Sequence, residues 1–424
     1  MPVAWDRARS LVYAAGRAAA LDPVAVPLAG ADGLTLAEPL TARTDLPAFP
    51  TSSVDGWAVR GPEPWRVVGR VLAGGVPPAL DADGTAVEIA TGAMVPAGAT
   101  SVIRVEESRR TPEGLVTGVA RAQPDWRAIG EEVRAGEELL PAGSPVNPGV
   151  IGFAASCGYD TLAVRPAPRV ALRVFGDELL TDGPPGDGRV RDALGPAVPG
   201  WLRRLGATIE TDRPVRPVED TIDAHLAAIR EALDTADLVC TTGGTMHGPV
   251  DHLHPALREL GAEYVVNTVA VRPGFPMLLA RIPGDGHTGD AGTRGGDDRA
   301  DKGRVGGSRD RFVAGLPGNP QSAIVALMSL VAPLLAGLVG RPEPVSPPVT
   351  LGAAVPGRGN YTHLALVRID AADGAAYPVR HVGSAMLRGL SIADGFAVIR
   401  PGTSGDPGAR VPFVPLPLLP GERP

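Results

Sequence analysis

The first twenty residues carry hydrophobic side chains at a helical spacing. Ala4, Leu11 and Val12 stand among arginines, and the pattern stops before Asp22-Pro23. Residues three or four apart lie on one face of a helix, and proline does not continue one. The chain is therefore predicted to begin with a short helix over residues 1–20.

From about residue 24 to residue 165 the pattern changes to short apolar runs separated by Gly and Pro. Residues 65–68 and 101–105 are examples. Runs of this length, bounded by turn residues, are typical of strands. This part of the chain is predicted to be β-rich.

After residue 165, apolar strand-like runs alternate with longer helical patterns. Strands are predicted at residues 169–174, 236–241 and 312–316, and helices at residues 195–205, 218–234, 251–260 and 319–338. Such alternation predicts an α/β domain with a doubly wound parallel sheet and helices on both faces. Ligands of these sheets bind at the carboxyl ends of the strands.

Between Pro283 and Arg311 the chain is polar and of low complexity. Such a segment cannot bury a core, so a disordered surface insert is predicted at about residues 284–310. Its Asp-Gly repeats could suggest calcium binding, but they lack the ligand spacing of an EF-hand. Later apolar runs at residues 364–368 and 396–399 predict a small C-terminal β domain.

The composition is that of a soluble protein with several domains. Its 424 residues, 44% hydrophobic and 21% charged, are ordinary for globular proteins and predict about two to four domains. A net charge of -7 and the lack of a basic stripe argue against a nucleic-acid partner. Lys302 is the only lysine, so the choice of arginine elsewhere indicates little about guanidinium chemistry.

The two cysteines, Cys157 and Cys240, stand in apolar surroundings. They indicate a reducing compartment and no disulfide framework. The N-terminus lacks the basic and apolar regions of a signal peptide, and no apolar run is expected to be long enough to span a bilayer. A cytoplasmic protein without a membrane partner is predicted.

Two motifs of the β-rich part could bind an anion or a metal. In residues 52–60, Asp55 precedes a Gly turn and a strand, although an ordinary Asp-Gly turn would give the same pattern. In residues 91–96, Thr91 and Gly92 can offer a hydroxyl and an open backbone N–H to an anion, or simply end a strand. Neither motif is specific when taken alone.

A third motif places Asp177 and Glu178 at the carboxyl end of the first α/β strand. Carboxylates there can hold Mg²⁺ while phosphate oxygens or water fill its other positions. A solvated turn is the alternative.

A fourth motif follows the next strand and contains Thr242, Gly243 and Gly244, with Asp251 opening a helix. Glycines let a ligand approach the backbone, and N–H groups near a helix N-terminus attract anions. Asp251 could be the N-cap or a metal ligand. Three histidines could suggest zinc, but they lack cysteine partners and a helical H-x-x-x-H spacing. They are His247, His252 and His254.

The fifth motif joins Arg272-Pro273-Gly274-Phe275-Pro276 to a second Gly turn before a helix. The N–H groups of that turn could bind phosphate, or its polar residues could only cap the helix. The turn contains Pro317, Gly318, Asn319 and Ser322.

In this order and setting, the motifs resemble the MoeA-type molybdopterin molybdenumtransferases and the homologous E domain of gephyrin. The match extends over nearly the whole chain. It is carried by S-x-x-D-G-x-A-V-R at residues 52–60, T-G-A-x-V-P-x-G-A at 91–99, G-D-E-L at 176–179 and L-P-G-N-P-x-S-A at 316–323. Residues 136–143 and 383–387 also resemble the family.

The resemblance implies an elongated homodimer of four-domain subunits, and contacts with other proteins of molybdenum cofactor biosynthesis. The N-terminal helix, residues 1–20, is expected to pack on the α/β domain. The implied domains are β domain I with its linker (24–44 and 137–166), β-rich domain II (45–136), the α/β molybdopterin-binding domain III (167–340) and the C-terminal β domain IV (343–424).

The implied reaction uses adenylyl-molybdopterin and molybdate as substrates and, with Mg²⁺, gives molybdenum cofactor and AMP. Carboxylates near these anions would repel them unless a divalent metal bridged the charges. Asp55, Glu178 and Asp251 match family acids, so the resemblance makes them catalytic residues and metal ligands. Glu132 stands where the family usually has Asp and is a further metal ligand by the same resemblance.

The resemblance also implies a cradle for the pterin and its phosphates. Arg272 stands for a family lysine and should still pair with an anion. The cradle residues are Thr91, Gly92, Asp177, Thr242, Gly243, Gly244, Arg272, Pro273, Gly274, Pro317, Gly318, Asn319 and Ser322.

Five positions in four motifs depart from the family pattern. Phe175 replaces Thr, Met246 replaces Ser, Phe275 replaces the second Lys of Lys-Pro-Gly-Lys-Pro, and Ala193-Leu194 replaces Ser-Asn. Each change puts an apolar side chain where an anion-binding group is usual, which should weaken oxyanion binding. An active transferase is favoured. A degenerate pterin-binding or scaffold protein is the second hypothesis, and a nucleotide pyrophosphatase is the third.

Overall fold

The computed structural model describes residues 1–121, 123–209, 215–245, 251–284, 309–381 and 383–419. The chain divides into two compact units. The α/β unit comprises Met1–Val24 with Arg165–Pro424, and the β unit comprises Ala25–Val164. Nearly all of the predicted insert at 284–310 lies outside the described residues.

Helices are concentrated in the α/β unit. The α-helices are α1 (Trp5–Ala18), α2 (Pro148–Ser156), α3 (Leu194–Arg204), α4 (Ile222–Leu233), α5 (Leu253–Glu259), α6 (Pro320–Ala326) and α7 (Ala332–Leu338). The π-helical residues Leu327–Val331 join α6 to α7. Short 3-10 turns lie at Leu28–Gly30, Val105–Glu107 and Leu390–Ile392.

The strands are mostly short. In the first 165 residues they are β1 (Val24–Pro27), β2 (Thr35–Leu36), β3 (Leu40–Thr41), β4 (Thr51–Ser52), β5 (Gly56–Arg60), β6 (Trp65–Val71), β7 (Thr85–Ile89), β8 (Ser101–Arg104), β9 (Ser108–Arg110), β10 (Leu115–Gly118), β11 (Trp126–Arg127), β12 (Glu138–Leu140) and β13 (Thr161–Arg165). The later strands are β14 (Arg169–Phe175), β15 (Leu179–Leu180), β16 (Val190–Arg191), β17 (Thr208–Ile209), β18 (Pro217–Val218), β19 (Leu238–Thr242), β20 (Glu263–Asn267), β21 (Val271–Arg272), β22 (Leu278–Ile282), β23 (Arg311–Leu316), β24 (Pro348–Thr350), β25 (Thr362–Ile369), β26 (Ala376–Pro378), β27 (Gly395–Ile399) and β28 (Arg410–Pro415).

The main sheet of the α/β unit is mixed. Its order is β17-β14-β19-β23-β22-β20, with β18 also paired to β14. β14, β17, β18, β19 and β23 are parallel, but β22 is antiparallel to β23 and β20 is antiparallel to β22. The prediction of a parallel sheet is therefore wrong at this edge. Residues 268–277 alone join β20 to β22, whereas a parallel crossover needs about a dozen residues or more.

Helices cover both faces of this sheet, as predicted. Side chains of a strand point alternately to its two faces, and those of β14 divide in this way between two cores. Val170, Leu172 and Val174 join the core formed with α1, α3 and the helix at 320–338. Ala171 and Phe175 join the core formed with α4 and α5.

A second sheet of the α/β unit has the order β21-β25-β27-β28-β24, with β26 paired to β25. Its strand β21 comes from the connection between β20 and β22 of the main sheet. Val271 pairs with Thr362 and Arg272 pairs with His363, in parallel register. This pairing fixes the backbone of Arg272 against the start of β25.

The β unit is sheet-rich, as predicted. Its largest sheet has the order β8-β5-β7-β6-β10-β9, and a smaller one has the order β1-β13-β2. Separate apolar cores lie within the unit, one including Ala58, Val87 and Val102 and another including Leu36 and Leu162. Short apolar runs between Gly and Pro turns thus form several small sheets with cores of their own.

The helix Pro320–Leu338 is apolar enough to cross a membrane by length and composition, with a mean hydropathy of 1.9. The expectation that no apolar run reaches this length is therefore wrong. Its apolar window is 89% buried inside the protein, because the main sheet and α1 pack against it. A helix that is hydrophobic all round is typical of a protein core as well as of a membrane.

Candidate functional site

Three loops of the α/β unit meet at one edge of its main sheet. They follow β14, β19 and β23, which are adjacent and parallel, so their carboxyl ends lie side by side. The Gly243 N–H donates to the Leu316 carbonyl at 3.1 Å. A Cβ on Gly318 would lie 3.7 Å from the Gly243 Cα. The structure thus brings together three of the predicted motifs, and we call residues 176–178, 242–244 and 317–319 the strand-end site.

Gly243 is required by the close approach of these loops. Its φ of +89° lies in the left-handed region, and a Cβ there would come 3.0 Å from the Phe175 carbonyl oxygen. Glycine accepts this conformation without steric cost. The neighbouring Thr242 is 2% exposed, so it belongs to the buried end of β19 and its side chain is less accessible than the glycine backbone.

The two acids after β14 have different surroundings. Asp177 and Asp220 exchange hydrogen bonds, in which each backbone N–H donates to the other's carboxylate at 3.4 and 3.2 Å. Glu178 Oε2 lies 2.7 Å from the position that a Cβ on Gly176 would take. Within the described part of the chain, the Glu178 carboxylate has no hydrogen bond or ion pair. Asp177 therefore ties the loop to the start of α4, and Glu178 is the acid available to a ligand.

Two of the departures from the family pattern are packed in apolar cores. Phe175 is 4% exposed, and its ring stacks on the His225 ring with a centroid separation of 3.6 Å. Leu194 is 5% exposed and joins the core beneath α3. Both side chains contribute to packing behind the loops. Met246 lies outside the described residues.

Asp251 is half-buried and directly precedes His252, which is the N-cap residue of α5. His254 Nδ1 lies 2.6 Å from the Tyr264 hydroxyl, and His247 lies outside the described residues. Across the described ranges, no three His, Cys, Asp or Glu side chains form a group that could hold a metal by themselves.

A cavity of about 770 Å³ lies beside the 317–319 loop. Arg272 and Arg358 line it, and none of its lining residues within the described chain is a carboxylate. Several predicted residues therefore share one cavity whose fixed charge is positive, and such a cavity attracts anions. These residues are Arg272, Pro273, Gly274, Pro317, Asn319 and Ser322.

Further polar groups of the cavity come from the start of the helix at 320–338. Asn319 precedes this helix, but its side chain makes no capping bond, and the Ser322 N–H donates to the Ser384 carbonyl at 3.2 Å. Gln321 is 3% exposed, and its Oε1 has no hydrogen-bond partner. The Asn319 side chain therefore does not cap the helix, and it is available to a ligand in the cavity.

His363 completes the polar lining. Its Nδ1 lies 2.7 Å from the Pro356 carbonyl, so Nδ1–H is the donor and Nε2 carries the lone pair. Burial is the main cause that lowers the pKa of His363, and the Arg358 charge lowers it further, while the Pro356 bond acts in the opposite direction. The imidazole is consequently held in its neutral form near neutral pH.

Sequence analysis missed Gln321, Arg358, Tyr361 and His363. Arg358 and Tyr361 belong to a turn before β25 and His363 lies at the start of β25, far along the chain from Arg272. The turn itself is marked by Gly359, and the Tyr361 N–H donates to the Arg358 carbonyl. The sequence did contain one signal for these residues, which is a Gly turn that holds a cation and precedes a strand. Nothing in the hydrophobic pattern predicted that this strand, β25, would pair with β21.

The β unit carries its own predicted site residues. Asp55 Oδ1 accepts hydrogen bonds from the Thr91 N–H at 2.6 Å and from the Thr91 hydroxyl at 3.0 Å. Gly92, at a φ of +79°, ends the turn by donating to the Ser52 carbonyl. Two separate motifs of the sequence are thus joined. Glu132 is exposed and lies elsewhere in the unit. Burial of the Cys157 thiol raises its pKa, and the Glu132 charge raises it further.

Three family models match the chain one after another. They are the MoeA N-terminal region (domain I and II) over residues 3–158, the probable molybdopterin binding domain over residues 171–337, and the MoeA C-terminal region (domain IV) over residues 348–416. The chain belongs to the MoeA family. The resemblance predicted from its motifs is confirmed.

Curated relatives and solved structures agree with this membership. The molybdopterin molybdenumtransferase of Staphylococcus aureus (strain COL) is 28% identical over 320 residues, which are 73% of this chain and 70% of that protein. The Bacillus subtilis (strain 168) protein of the same name is 27% identical over 390 residues, 87% of this chain and 84% of its own. A Pyrococcus MoeA structure has 25% identity and a TM-score of 0.76 over 98% of this chain and 99% of that one. The predicted MoeA-like multidomain fold is confirmed.

Proposed function

We propose that this protein is a molybdopterin molybdenumtransferase, which uses adenylyl-molybdopterin and molybdate to form molybdenum cofactor with release of AMP. The observation that carries the proposal is the cavity beside the strand-end site, which has two arginines and no carboxylate in its described lining. Both substrates are anions, and the positive cavity adjoins loops built on glycine turns. Relatives with this name support the same activity.

In the proposed complex the strand-end loops bind the pterin phosphates and the cavity binds molybdate. Backbone N–H groups at glycine turns can approach phosphate closely. Arginine supplies paired N–H donors to an oxyanion, and Arg272 and Arg358 would do so here. The proposed binding residues are Thr91, Gly92, Asp177, Thr242, Gly243, Gly244, Arg272, Pro273, Gly274, Pro317, Gly318, Asn319 and Ser322.

We assign catalytic and metal-binding roles to Asp55, Glu178 and Asp251, with Glu132 as a further metal ligand. Mg²⁺ usually takes only one or two protein carboxylates and completes its shell with substrate phosphates and water. The unpartnered Glu178 carboxylate at the end of β14 fits that mode of binding. When bound, the metal would neutralise the charge between phosphate and molybdate.

The degenerate binding or scaffold protein is not favoured. That hypothesis rested on apolar side chains at four positions of the anion site. Phe175 and Leu194 are buried in cores, so they are compatible with a working site in front of them. Phe275 does line the cavity, and its role is argued below.

The test mixes purified full-length protein with adenylyl-molybdopterin, molybdate and Mg²⁺ and follows AMP release. We expect release that depends on molybdate and that chelation of Mg²⁺ suppresses. Loss of a charge-stabilising group commonly costs about a hundredfold or more in rate, and Glu178→Gln should do so. Glu259→Gln, on the exposed end of α5, is the matched control. Pterin binding without molybdate-dependent AMP release would refute the transferase.

We further propose that the protein is a cytoplasmic homodimer that also contacts other proteins of molybdenum cofactor biosynthesis. The domain division proposed from the sequence, with boundaries near residues 44, 136, 166 and 342, is part of the same hypothesis. Sedimentation equilibrium of the full chain tests the dimer. A mass equal to that of one chain at every concentration would refute it.

A further inference from the structure

Arg272 lies in the anion cavity against two aromatic rings. Its guanidinium carbon is 4.5 Å from the Tyr361 ring centroid and 5.1 Å from the Phe275 ring centroid. The two rings meet edge to face, with centroids 5.8 Å apart and planes at 84°. All three residues line the cavity. Arg272 has no carboxylate within ion-pair distance in the described ranges.

We propose that Phe275 and Tyr361 are positioning residues that orient the Arg272 guanidinium toward the oxyanion substrate. The proposal rests on the proposed function for the identity of that oxyanion. It gives Phe275 a role opposite to the one expected from the sequence. The ring that stands in place of a family lysine holds the remaining cation instead of merely weakening the site.

The physical argument begins with the exposure of Arg272. Its side chain is exposed, and a free arginine carries about 2 kcal/mol of rotamer entropy that binding must remove. Stacking on an aromatic face attracts the cation through the ring quadrupole. A guanidinium held over a ring face can still direct its N–H groups away from that ring, so the two rings restrict its position without occupying all of its donors.

The backbone on both sides of this arrangement is fixed. Arg272 pairs with His363 in the β21 and β25 register, and Tyr361 directly precedes β25. Gly274 has a φ of +103°, and a Cβ there would lie 2.9 Å from Met277 Cε and 3.3 Å from the Ser322 carbonyl oxygen. The Phe275 carbonyl also accepts a hydrogen bond from the Val269 N–H at 3.2 Å, so the backbone that carries the Phe275 ring is held in this tight turn.

A lysine at position 275 would act differently. It would add a second charge near Arg272, which would repel the guanidinium in the absence of ligand. The phenyl ring instead orders one cation, and the cavity retains Arg358 as a second one. The positioning hypothesis therefore predicts that the ring itself, and not only its volume, supports oxyanion affinity.

The experiment titrates sodium molybdate into full-length protein by isothermal titration calorimetry, without pterin. The variants are Phe275→Leu, which keeps an apolar side chain without the ring, and Phe275→Tyr and Phe275→Trp, which keep an aromatic face. Exposed cation–π contacts correspond to about a two- to fivefold change in Kd. We expect Phe275→Leu to weaken molybdate binding by that factor, whereas Tyr and Trp retain the wild-type affinity. Tyr361→Leu should act like Phe275→Leu.

A role in space filling alone predicts the reverse order, with Leu equal to Phe and the larger Trp worst, and that result would overturn the proposal. Absence of molybdate binding by the wild-type protein would also overturn it. In the AMP assay, Phe275→Leu should raise the KM for molybdate and leave the KM for the pterin and kcat unchanged. Ring-dependent molybdate binding without any AMP release would refute the proposed function and leave the positioning role standing.

Discussion

Asp55 illustrates how one exposed carboxylate is held in its charged form. The Thr91 backbone N–H is the main cause that lowers the pKa of Asp55, and the Thr91 hydroxyl lowers it further. Hydrogen bonds to the ionised form of a carboxyl favour that form. A carboxylate that stays charged suits a metal ligand or a group that orients a cation.

Thr91→Val should raise the pKa of Asp55 toward its ordinary value without reaching it. The variant removes the hydroxyl donor and retains the backbone N–H, which is the larger cause. Carbon-detected NMR titration of the aspartate carboxyls would measure the change. Thr117→Val, on β10, is the control and should leave Asp55 unchanged. An unaltered Asp55 pKa in Thr91→Val would contradict the contribution of the hydroxyl.

His225 makes folding sensitive to acid. It is fully buried beneath Phe175, and burial lowers its pKa from the ordinary 6.5, although the Asp220 carboxylate opposes the shift. The unfolded chain therefore binds more protons than the folded one as the pH falls through 6.5. The stability that the neutral imidazole contributes is therefore fully present above pH 6.5. It is lost as the pH falls from 6.5 toward the lowered pKa of His225 in the folded protein.

The free energy of unfolding should accordingly fall with acidification, and the fall should be smaller in His225→Gln. The variant lacks the titrating ring. The difference in free energy of unfolding between the wild type and the variant should therefore become smaller as the pH falls from about 7.5 to about 5.5. Urea denaturation at a series of pH values would measure this difference. His381→Gln, at an exposed position, should leave the wild-type slope unchanged. A difference independent of pH would show that His225 does not titrate as argued.

At the scale of elements, α3 shows how a departure from the family motif is accommodated. Asp192 is 7% exposed, and its Oδ1 accepts hydrogen bonds from the N–H groups of Leu194 and Gly195, both at 2.9 Å. These are among the first N–H groups of a helix, which lack partners inside it. Asp192 therefore secures the start of α3, while Leu194 anchors that start in the core.

Asp192→Ala should lower the free energy of unfolding by about 0.5–2 kcal/mol, because the helix loses its capping acceptor. Asp192→Asn keeps an oxygen acceptor at the same place and should lose less. Midpoints of urea unfolding would give both values. If the two variants were equally destabilised, the loss would come from the charge and not from the cap.

The sequence predicted where helices and strands form better than it predicted which strands pair. Hydrophobic periodicity predicted the helices of the α/β unit and the strands β14, β19 and β23, whose ends form the strand-end site, but it did not predict the short strands β17, β18 and β20. It did not indicate strand direction, and the short connection from β20 to β22 is what makes that edge antiparallel. The same connection sends Arg272 to β25. The cavity was missed because its two walls meet through this long-range pairing, which leaves no local signature.

At the scale of the whole molecule, the first helix is bound to a helix more than three hundred residues away. The Trp5 indole N–H donates to the Ser329 hydroxyl at 2.9 Å, and Arg9 donates to the Met328 carbonyl at 2.9 Å. Gly16 lies so close to the helix at 320–338 that a Cβ would come 2.4 Å from the Leu334 carbonyl oxygen. This contact covers an apolar surface that would otherwise face water.

Trp5→Ala should therefore destabilise the α/β unit strongly. Trp5 is 3% exposed within the main core, and truncation of a buried aromatic side chain to alanine costs about 3–5 kcal/mol through lost burial and the cavity left behind. Trp5→Phe keeps a ring but leaves the buried Ser329 hydroxyl without its donor, so an intermediate loss is expected.

Arg7→Ala, on the exposed face of α1, is the control and should change the free energy of unfolding by no more than about 0.5 kcal/mol. Urea unfolding followed by circular dichroism would measure all three, and a loss below about 1 kcal/mol in Trp5→Ala would mean that α1 does not seal this core.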